Sequence, residues 1–215
     1  MKIRALAALL PLLALAGCTE DNNVSVQVFA ICAPPESDCS FSGECGAKTL
    51  DVLRLDVGVT SAYWAFIEVH NQLLDNTDVS AGRGNTHDAY VEEYAIEYEV
   101  QGGAIALPSI TDQVVSGPSI VPAEGTSVVS VFPIPPAIGQ RLAMSVAAGA
   151  GVEVIAKVRL RGFYADQSRF ETAEFPIPIV VCNGCVGAPT CADATQVVVG
   201  VCPQPGQTPA SVTCE

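Results

Sequence analysis

The chain of 215 residues predicts an all-β fold, an antiparallel β-sandwich whose N- and C-terminal segments are stapled by disulfides. Apolar residues alternate with polar ones through its middle, and turn residues separate these runs. The nine cysteines lie only towards the two ends, and residues 46–181 contain none. A cysteine-free stretch of that length must be held together by buried apolar surface, so the disulfides fasten the ends of a domain that has its own core.

The clearest strand pair is formed by residues 152–161 and 169–181, which alternate with period 2 on either side of a short polar loop. Folding the two segments about that loop puts every core residue opposite another apolar residue. The predicted pairs are Leu160 with Ala173, Val158 with Phe175, Ala156 with Ile177 and Val154 with Ile179. A slip of one residue would place core side chains against charges, so the pattern specifies the register.

Two further features of this hairpin are predicted. The same register places Arg159 opposite Glu174 on the outer face, a favourable cross-strand pair. Pro176 and Pro178 lie two residues apart and lack backbone N–H groups on the same side of the strand. We therefore expect the strand to lie at a sheet edge, bonded mainly to residues 152–161.

Other strands are predicted at 50–59, 63–74, 89–100 and 127–134. A helical periodicity also fits 89–100 through its tyrosines, and 137–148 is rich in helix-forming residues. Seven or eight strands separated by turns are typical of an immunoglobulin-like sandwich. Because Trp64 has no cysteine in the strands around it, the pattern predicts that architecture without the immunoglobulin sequence signature.

The N-terminus has the pattern of an export signal. Lys2 and Arg4 precede an apolar stretch of twelve residues, 5–16, which is shorter than the roughly 20 residues needed to span a bilayer. The stretch ends in Leu15-Ala16-Gly17-Cys18. This segment resembles the lipobox of bacterial lipoproteins, and the resemblance implies cleavage before Cys18 and lipid attachment to that cysteine. The alternative is ordinary secretion, since Ala14-Leu15-Ala16 is also an A-x-A cleavage site.

The odd number of cysteines favours lipidation of Cys18. Removing it from the count leaves eight that can pair completely: Cys32, Cys39, Cys45, Cys182, Cys185, Cys191, Cys202 and Cys214. Three of these lie near the N-terminus and five near the C-terminus. Because both numbers are odd, complete oxidation requires at least one disulfide between the two groups.

The chain therefore divides into four predicted segments. Residues 1–17 are the signal peptide, 18–45 a lipidated linker with a cysteine segment, 46–182 the sandwich, and 183–215 a cysteine-rich tail. We expect the tail, which has little apolar periodicity, to be held by disulfides rather than by a core.

The mature chain is strongly acidic. Of the 10 basic side chains, Lys2 and Arg4 are removed with the signal peptide. The mature chain then has 8 basic and 23 acidic side chains, a formal net charge of −15. Such a surface repels nucleic acid and anionic headgroups. We therefore expect no nucleic-acid partner, and attachment to the membrane through the lipid alone.

Cys182 and Cys185 form a C-x-x-C motif, the spacing of many redox pairs. No βαβ pattern accompanies it, and an exported protein is oxidised, so a structural disulfide is favoured. A zinc site with Cys191 and Cys202 is the less favoured alternative, because its spacing matches no common zinc ribbon.

Other candidate chemistry is sparse. His87 beside Asp88 could bind a metal or relay a proton, whereas His70 is predicted to be a surface residue of its strand. The loop Asp75-Asn76-Thr77-Asp78 offers oxygen ligands for Ca²⁺ but lacks the EF-hand spacing, which favours a solvated turn. Three carboxylates, Glu93, Glu97 and Glu99, fit a charged outer sheet face.

These patterns predict a protein that is not an enzyme and needs no cofactor: an envelope lipoprotein whose sandwich binds an envelope protein or surface polymer, or supports an assembly. The alternative is an exported redox or metal-binding protein using Cys182 and Cys185 or His87 and Asp88. By resemblance to lipoproteins, Thr19 after the lipidated cysteine implies the outer membrane.

Overall fold

A computed structural model describes residues 25–34, 39, 45–49, 52–102 and 105–215. Its strands are β1 (Val26–Ile31), β2 (Leu53–Asp56), β3 (Tyr63–Asn71), β4 (Ala89–Val100), β5 (Ile110–Val121), β6 (Thr126–Ile134), β7 (Gly151–Tyr164), β8 (Arg169–Glu171), β9 (Phe175–Cys182), β10 (Val198–Cys202), β11 (Gln207–Thr208) and β12 (Ser211–Cys214). The helix α1 (Pro136–Ser145) follows β6, and a 3₁₀ turn covers Val79–Ala81.

The strands form two main sheets that enclose one core. The larger sheet has seven strands in the order β11-β2-β9-β7-β4-β5, with β8 also paired to β7, and the smaller has the order β1-β3-β6. Strands β10 and β12 make a separate ribbon. Buried side chains from both main sheets, such as Ile67 of β3 and Leu160 of β7, belong to one apolar cluster. The predicted all-β, immunoglobulin-like sandwich with disulfide-stapled ends is confirmed.

The predicted hairpin register is confirmed for three of its four pairs. Val154 lies opposite Ile179, Ala156 opposite Ile177, and Val158 opposite Phe175. The fourth pair is wrong by one residue. Thr172, rather than Ala173, meets Leu160, because its backbone N–H donates to the Leu160 oxygen and its hydroxyl accepts from the Leu160 N–H. On the outer face Arg159 contacts Glu174, as predicted.

The prediction that this strand lies at a sheet edge is wrong. Strand β9 is flanked by β7 on one side and by a parallel partner, β2, on the other. Among the described residues, β2 pairs with β9 only from Ile179 onward, so Pro176 and Pro178 lie in the half that β2 does not cover. Prolines remove only their own N–H groups, and the residues beyond them remain able to pair.

The structure also tests other assignments made from the sequence. The helical alternative for 89–100 is wrong, because these residues form β4, which lies between β7 and β5 in the larger sheet. Residues 26–31, assigned to the linker, form β1, which pairs with β3. The predicted helix at 137–148 is present as α1. Strand β5 was not predicted.

The C-terminal tail contacts both sheets, so disulfides are not its sole attachment. Strand β11 pairs with β2 of the larger sheet. The buried side-chain amide of Gln207 bonds both backbone groups of Trp64 in the smaller sheet, its oxygen accepting from the N–H at 3.1 Å and its nitrogen donating to the carbonyl at 2.9 Å. The Tyr63 hydroxyl donates to the Thr208 oxygen at 2.8 Å.

The two ends of the sandwich, here called the near end and the far end, contain different elements. The near end contains the start of β1 at Val26, which pairs with Asn71, and the neighbouring start of β4 at Ala89. The far end contains α1, the tail, and the ends of β2 and β9 at Asp56 and Cys182.

Candidate functional site

The parallel pairing of β2 with β9 builds a corner at the far end of the sandwich. It sets Asp56, the last residue of β2, beside Cys182, the last residue of β9. The chain then turns through Gly184, whose φ of 89° favours glycine, and a disulfide joins Cys182 to Cys185. The two cysteines of the C-x-x-C motif are therefore joined by a disulfide.

Asp56 is a fully buried carboxylate that holds this turn. Its Oδ1 accepts from the backbone N–H groups of Gly184 at 2.8 Å and Gly58 at 2.9 Å, and its Oδ2 accepts from Val186 at 3.0 Å. Burial raises the pKa of a carboxyl, but the hydrogen bonds from these amides outweigh it and hold the pKa of Asp56 below its ordinary value. The side chain is thus an anion caged by backbone donors.

Asp56, Cys182 and Cys185 form a compact group, with one carboxylate oxygen and the two sulfurs all within 4.8 Å of one another. It is the one cluster of metal-ligand types among the residues that the structure describes. The sulfurs are bonded to each other and offer no thiolate in this state. The alternative of a zinc site that adds Cys191 and Cys202 to the C-x-x-C motif is wrong, because Cys191 forms a disulfide with Cys214 and Cys202 forms one with Cys39.

All eight cysteines beyond Cys18 are oxidised. The bonds are Cys32–Cys45, Cys39–Cys202, Cys182–Cys185 and Cys191–Cys214. The predicted disulfide between the N- and C-terminal groups is confirmed as Cys39–Cys202, with a sequence separation of 163.

The two histidines have separate structural partners. His87 Nδ1 lies 2.7 Å from the Leu74 oxygen, whereas the Asp88 carboxylate accepts from Asn85 and from the Ala123 N–H. The two neighbouring side chains therefore serve different contacts, which does not favour a proton relay. His70 is half-buried and packs edge-on against Phe29, with ring centroids 5.3 Å apart.

The oxygen-rich loop is a set of local turns. The Asp75 carboxylate accepts from the Thr77 N–H, and the Asp78 carboxylate accepts from Ser80, Ala81 and Arg83. These bonds hold the pKa of both carboxyls below its ordinary value. The side chains are used in the turn itself, as the solvated-turn alternative expects.

The charged outer face of the larger sheet is a ladder of ion pairs. Lys157, Arg159 and Arg161 of β7 each meet carboxylates of β4, namely Glu99, Glu97 and Glu93 respectively. Such exposed pairs contribute about 0.2 to 1 kcal/mol each. The interpretation of the three glutamates as an outer sheet face is confirmed.

An open groove of about 440 Å³ lies on the same sheet where this ladder ends. Its lining includes Tyr90 of β4, Val114 of β5 and Phe163 of β7. The rings of Tyr90 and Phe163 are stacked, with centroids 5.1 Å apart and planes 9° apart, and Val114 is 80 % exposed. We call this surface the aromatic groove. Sequence patterning missed it, because β5 was not predicted.

The chain matches no known family model and no curated protein. Among the described residues no helix has the length and apolar character needed to cross a membrane. The predicted signal peptide, lipobox and Cys18 lie outside the described residues, as does Thr19.

Asp56 was not predicted as a site residue. Two of its three backbone donors, Gly184 and Val186, are 128 and 130 residues away along the chain, and the parallel pairing of β2 with β9 brings them to it. An aspartate at the end of an apolar run was the only local signal, and it does not distinguish a buried cap from an exposed turn.

The caged carboxylate predicts a pH-dependent contribution to stability. Because its folded pKa is below its unfolded value near 3.8, ionised Asp56 stabilises the fold above that pH and loses this contribution as pH falls through the folded pKa. Asp56→Asn should lower the free energy of unfolding by about 2 to 4 kcal/mol at pH 7, since amide donors lose a charged acceptor. The difference from wild type should shrink below about pH 3.8.

Urea unfolding of both proteins between pH 2.5 and 7 checks this. Asp193→Asn is the control, because Asp193 also has a lowered pKa but is exposed and bonded locally to Thr195. A difference between Asp56→Asn and wild type that stays constant with pH would contradict the role of the ionised carboxylate.

Proposed function

We propose that this chain is a membrane-anchored lipoprotein of the cell envelope, attached to the outer membrane by lipid on Cys18, whose non-catalytic β-sandwich is a binding or structural module. The observation that most supports this proposal is that the eight other cysteines form disulfides with one another. This pairing leaves Cys18, at the end of the lipobox-like segment, as the one cysteine without a disulfide role.

The chain length after Cys18 supports a role close to the membrane. Strand β1 begins at Val26, eight residues after Cys18. Eight residues reach at most about 28 Å when extended. Lipid on Cys18 would therefore keep the near end of the sandwich within that distance of the bilayer, where a partner must itself be an envelope component.

The aromatic groove supports a binding role. A half-buried, stacked aromatic pair beside an exposed valine, on a sheet face that is otherwise charged, is typical of contact surfaces. The net charge of −15 on the chain without its signal peptide disfavours nucleic acid, so the proposed partner is an envelope protein or a surface polymer.

Photo-crosslinking in cells tests this function. A benzophenone amino acid at Val114, in the groove, should give a discrete adduct of higher mass with an envelope component. The matched control is Val79, which is 86 % exposed but lies in the 3₁₀ turn outside the groove. Identical adduct patterns from both positions, or none from Val114, would contradict a partner at this surface.

A further inference from the structure

The C-x-x-C corner differs from the other disulfides in exposure. Among the eight paired cysteines that the structure describes, Cys185 alone is exposed, whereas its partner Cys182 is only 3 % exposed. Thiol–disulfide exchange begins when a thiolate reaches one sulfur of the bond. The geometry therefore offers an incoming thiol one sulfur of this pair, that of Cys185.

Breaking this bond should disturb the fold least. Its sequence separation is 3, against 13, 23 and 163 for the other three disulfides. In the chain-entropy model the stabilisation from a disulfide grows with the length of the loop that it closes. Loss of the shortest loop thus releases the least conformational entropy to the unfolded chain.

The turn is also held by contacts that do not involve sulfur. Asp56 binds the N–H groups of Gly184 and Val186. Asn183 donates its backbone N–H to the Ala150 oxygen at 3.2 Å, accepts from the Gly149 N–H at 2.8 Å, and donates its side-chain amide to the Val146 oxygen at 3.2 Å. These bonds would keep Cys182 and Cys185 side by side after reduction.

The corner also accommodates the reduced sulfurs. Cys182 Sγ lies 3.5 Å from the Leu55 oxygen, which can accept a hydrogen bond from a thiol at that position. Two thiols held side by side in this way can be reoxidised to the same disulfide.

We propose that the Cys182–Cys185 bond is a reversible thiol–disulfide exchange site whose reductant is an exogenous dithiol. One thiolate of the dithiol attacks Cys185 Sγ and forms a mixed disulfide, and Cys182 leaves with the bonding electron pair and takes a proton from water. The second thiolate of the dithiol then attacks the dithiol sulfur that is bonded to Cys185 Sγ. This closes a cyclic disulfide within the dithiol and releases Cys185, which is also protonated. The protein gains two electrons and two protons, and the dithiol loses them.

Graded reduction of the folded mature protein tests the proposal. The protein is equilibrated with increasing dithiothreitol, alkylated, and mapped by peptide mass spectrometry. Cys182 and Cys185 should be alkylated at dithiol concentrations at least tenfold lower than the other six cysteines, with the near-ultraviolet circular dichroism unchanged. Replacing the dithiol by oxidised glutathione should restore the bond.

Two variants separate this site from general reduction. Cys182→Ala/Cys185→Ala should abolish alkylation at low dithiol concentration, and Cys191→Ala/Cys214→Ala should keep it. Reduction of Cys191–Cys214 at the same concentrations as Cys182–Cys185, or loss of the circular dichroism signal as Cys185 is alkylated, would overturn the proposal. The wild-type measurement alone decides the matter if a variant does not fold.

Discussion

Substitution of Cys18 by Ala should move the protein from the membrane fraction to the soluble fraction. Each buried CH₂ of an attached lipid stabilises membrane binding by about 0.8 kcal/mol, so loss of the acyl chains removes the anchor. The acidic surface offers no electrostatic substitute. Cell fractionation with a carbonate wash, followed by immunoblotting, measures the shift.

The control for that experiment is Cys185→Ala, which changes an exposed cysteine at the far end and should leave fractionation unaltered. If Cys18→Ala still requires detergent for release, the membrane attachment lies elsewhere in the chain.

Removal of the disulfide Cys39–Cys202 should cause the largest loss of stability of any disulfide. Its closure of a loop with a separation of 163 residues contributes about 5 kcal/mol in the chain-entropy model, comparable with the whole stability of many domains. We expect the Cys39→Ala/Cys202→Ala variant to show that loss in denaturant unfolding.

The matched variant Cys182→Ala/Cys185→Ala removes a bond with a separation of 3 and should cost about 2 kcal/mol or less. Equal losses in the two variants would contradict the entropic account. They would indicate instead that local packing around each disulfide determines its contribution.

The parts of the fold that follow from local patterning could be predicted. Strand β7 alternates over more than ten residues, and the register of β7 with β9 follows because a one-residue slip exposes the core. The bond between the terminal groups followed from cysteine parity alone. None of these inferences required knowledge of distant contacts.

The errors share a physical cause, which is pairing between distant segments. Pro176 and Pro178 block pairing only locally, and the parallel approach of β2 to the second half of β9 was not visible in either segment. Strand β1 is short, and its strand partner, β3, lies more than 30 residues further along the chain. The Asp56 corner depends on the same parallel pairing, so the candidate site could be predicted only as far as its C-x-x-C motif.

Mass spectrometry of the N-terminal peptide of the mature protein, purified from membranes, tests the central claim most directly. The lipoprotein account predicts that this peptide begins at Cys18 and carries the added mass of several acyl chains. A mature chain that begins at Gly17, after Ala14-Leu15-Ala16, and carries an unmodified Cys18 would contradict it.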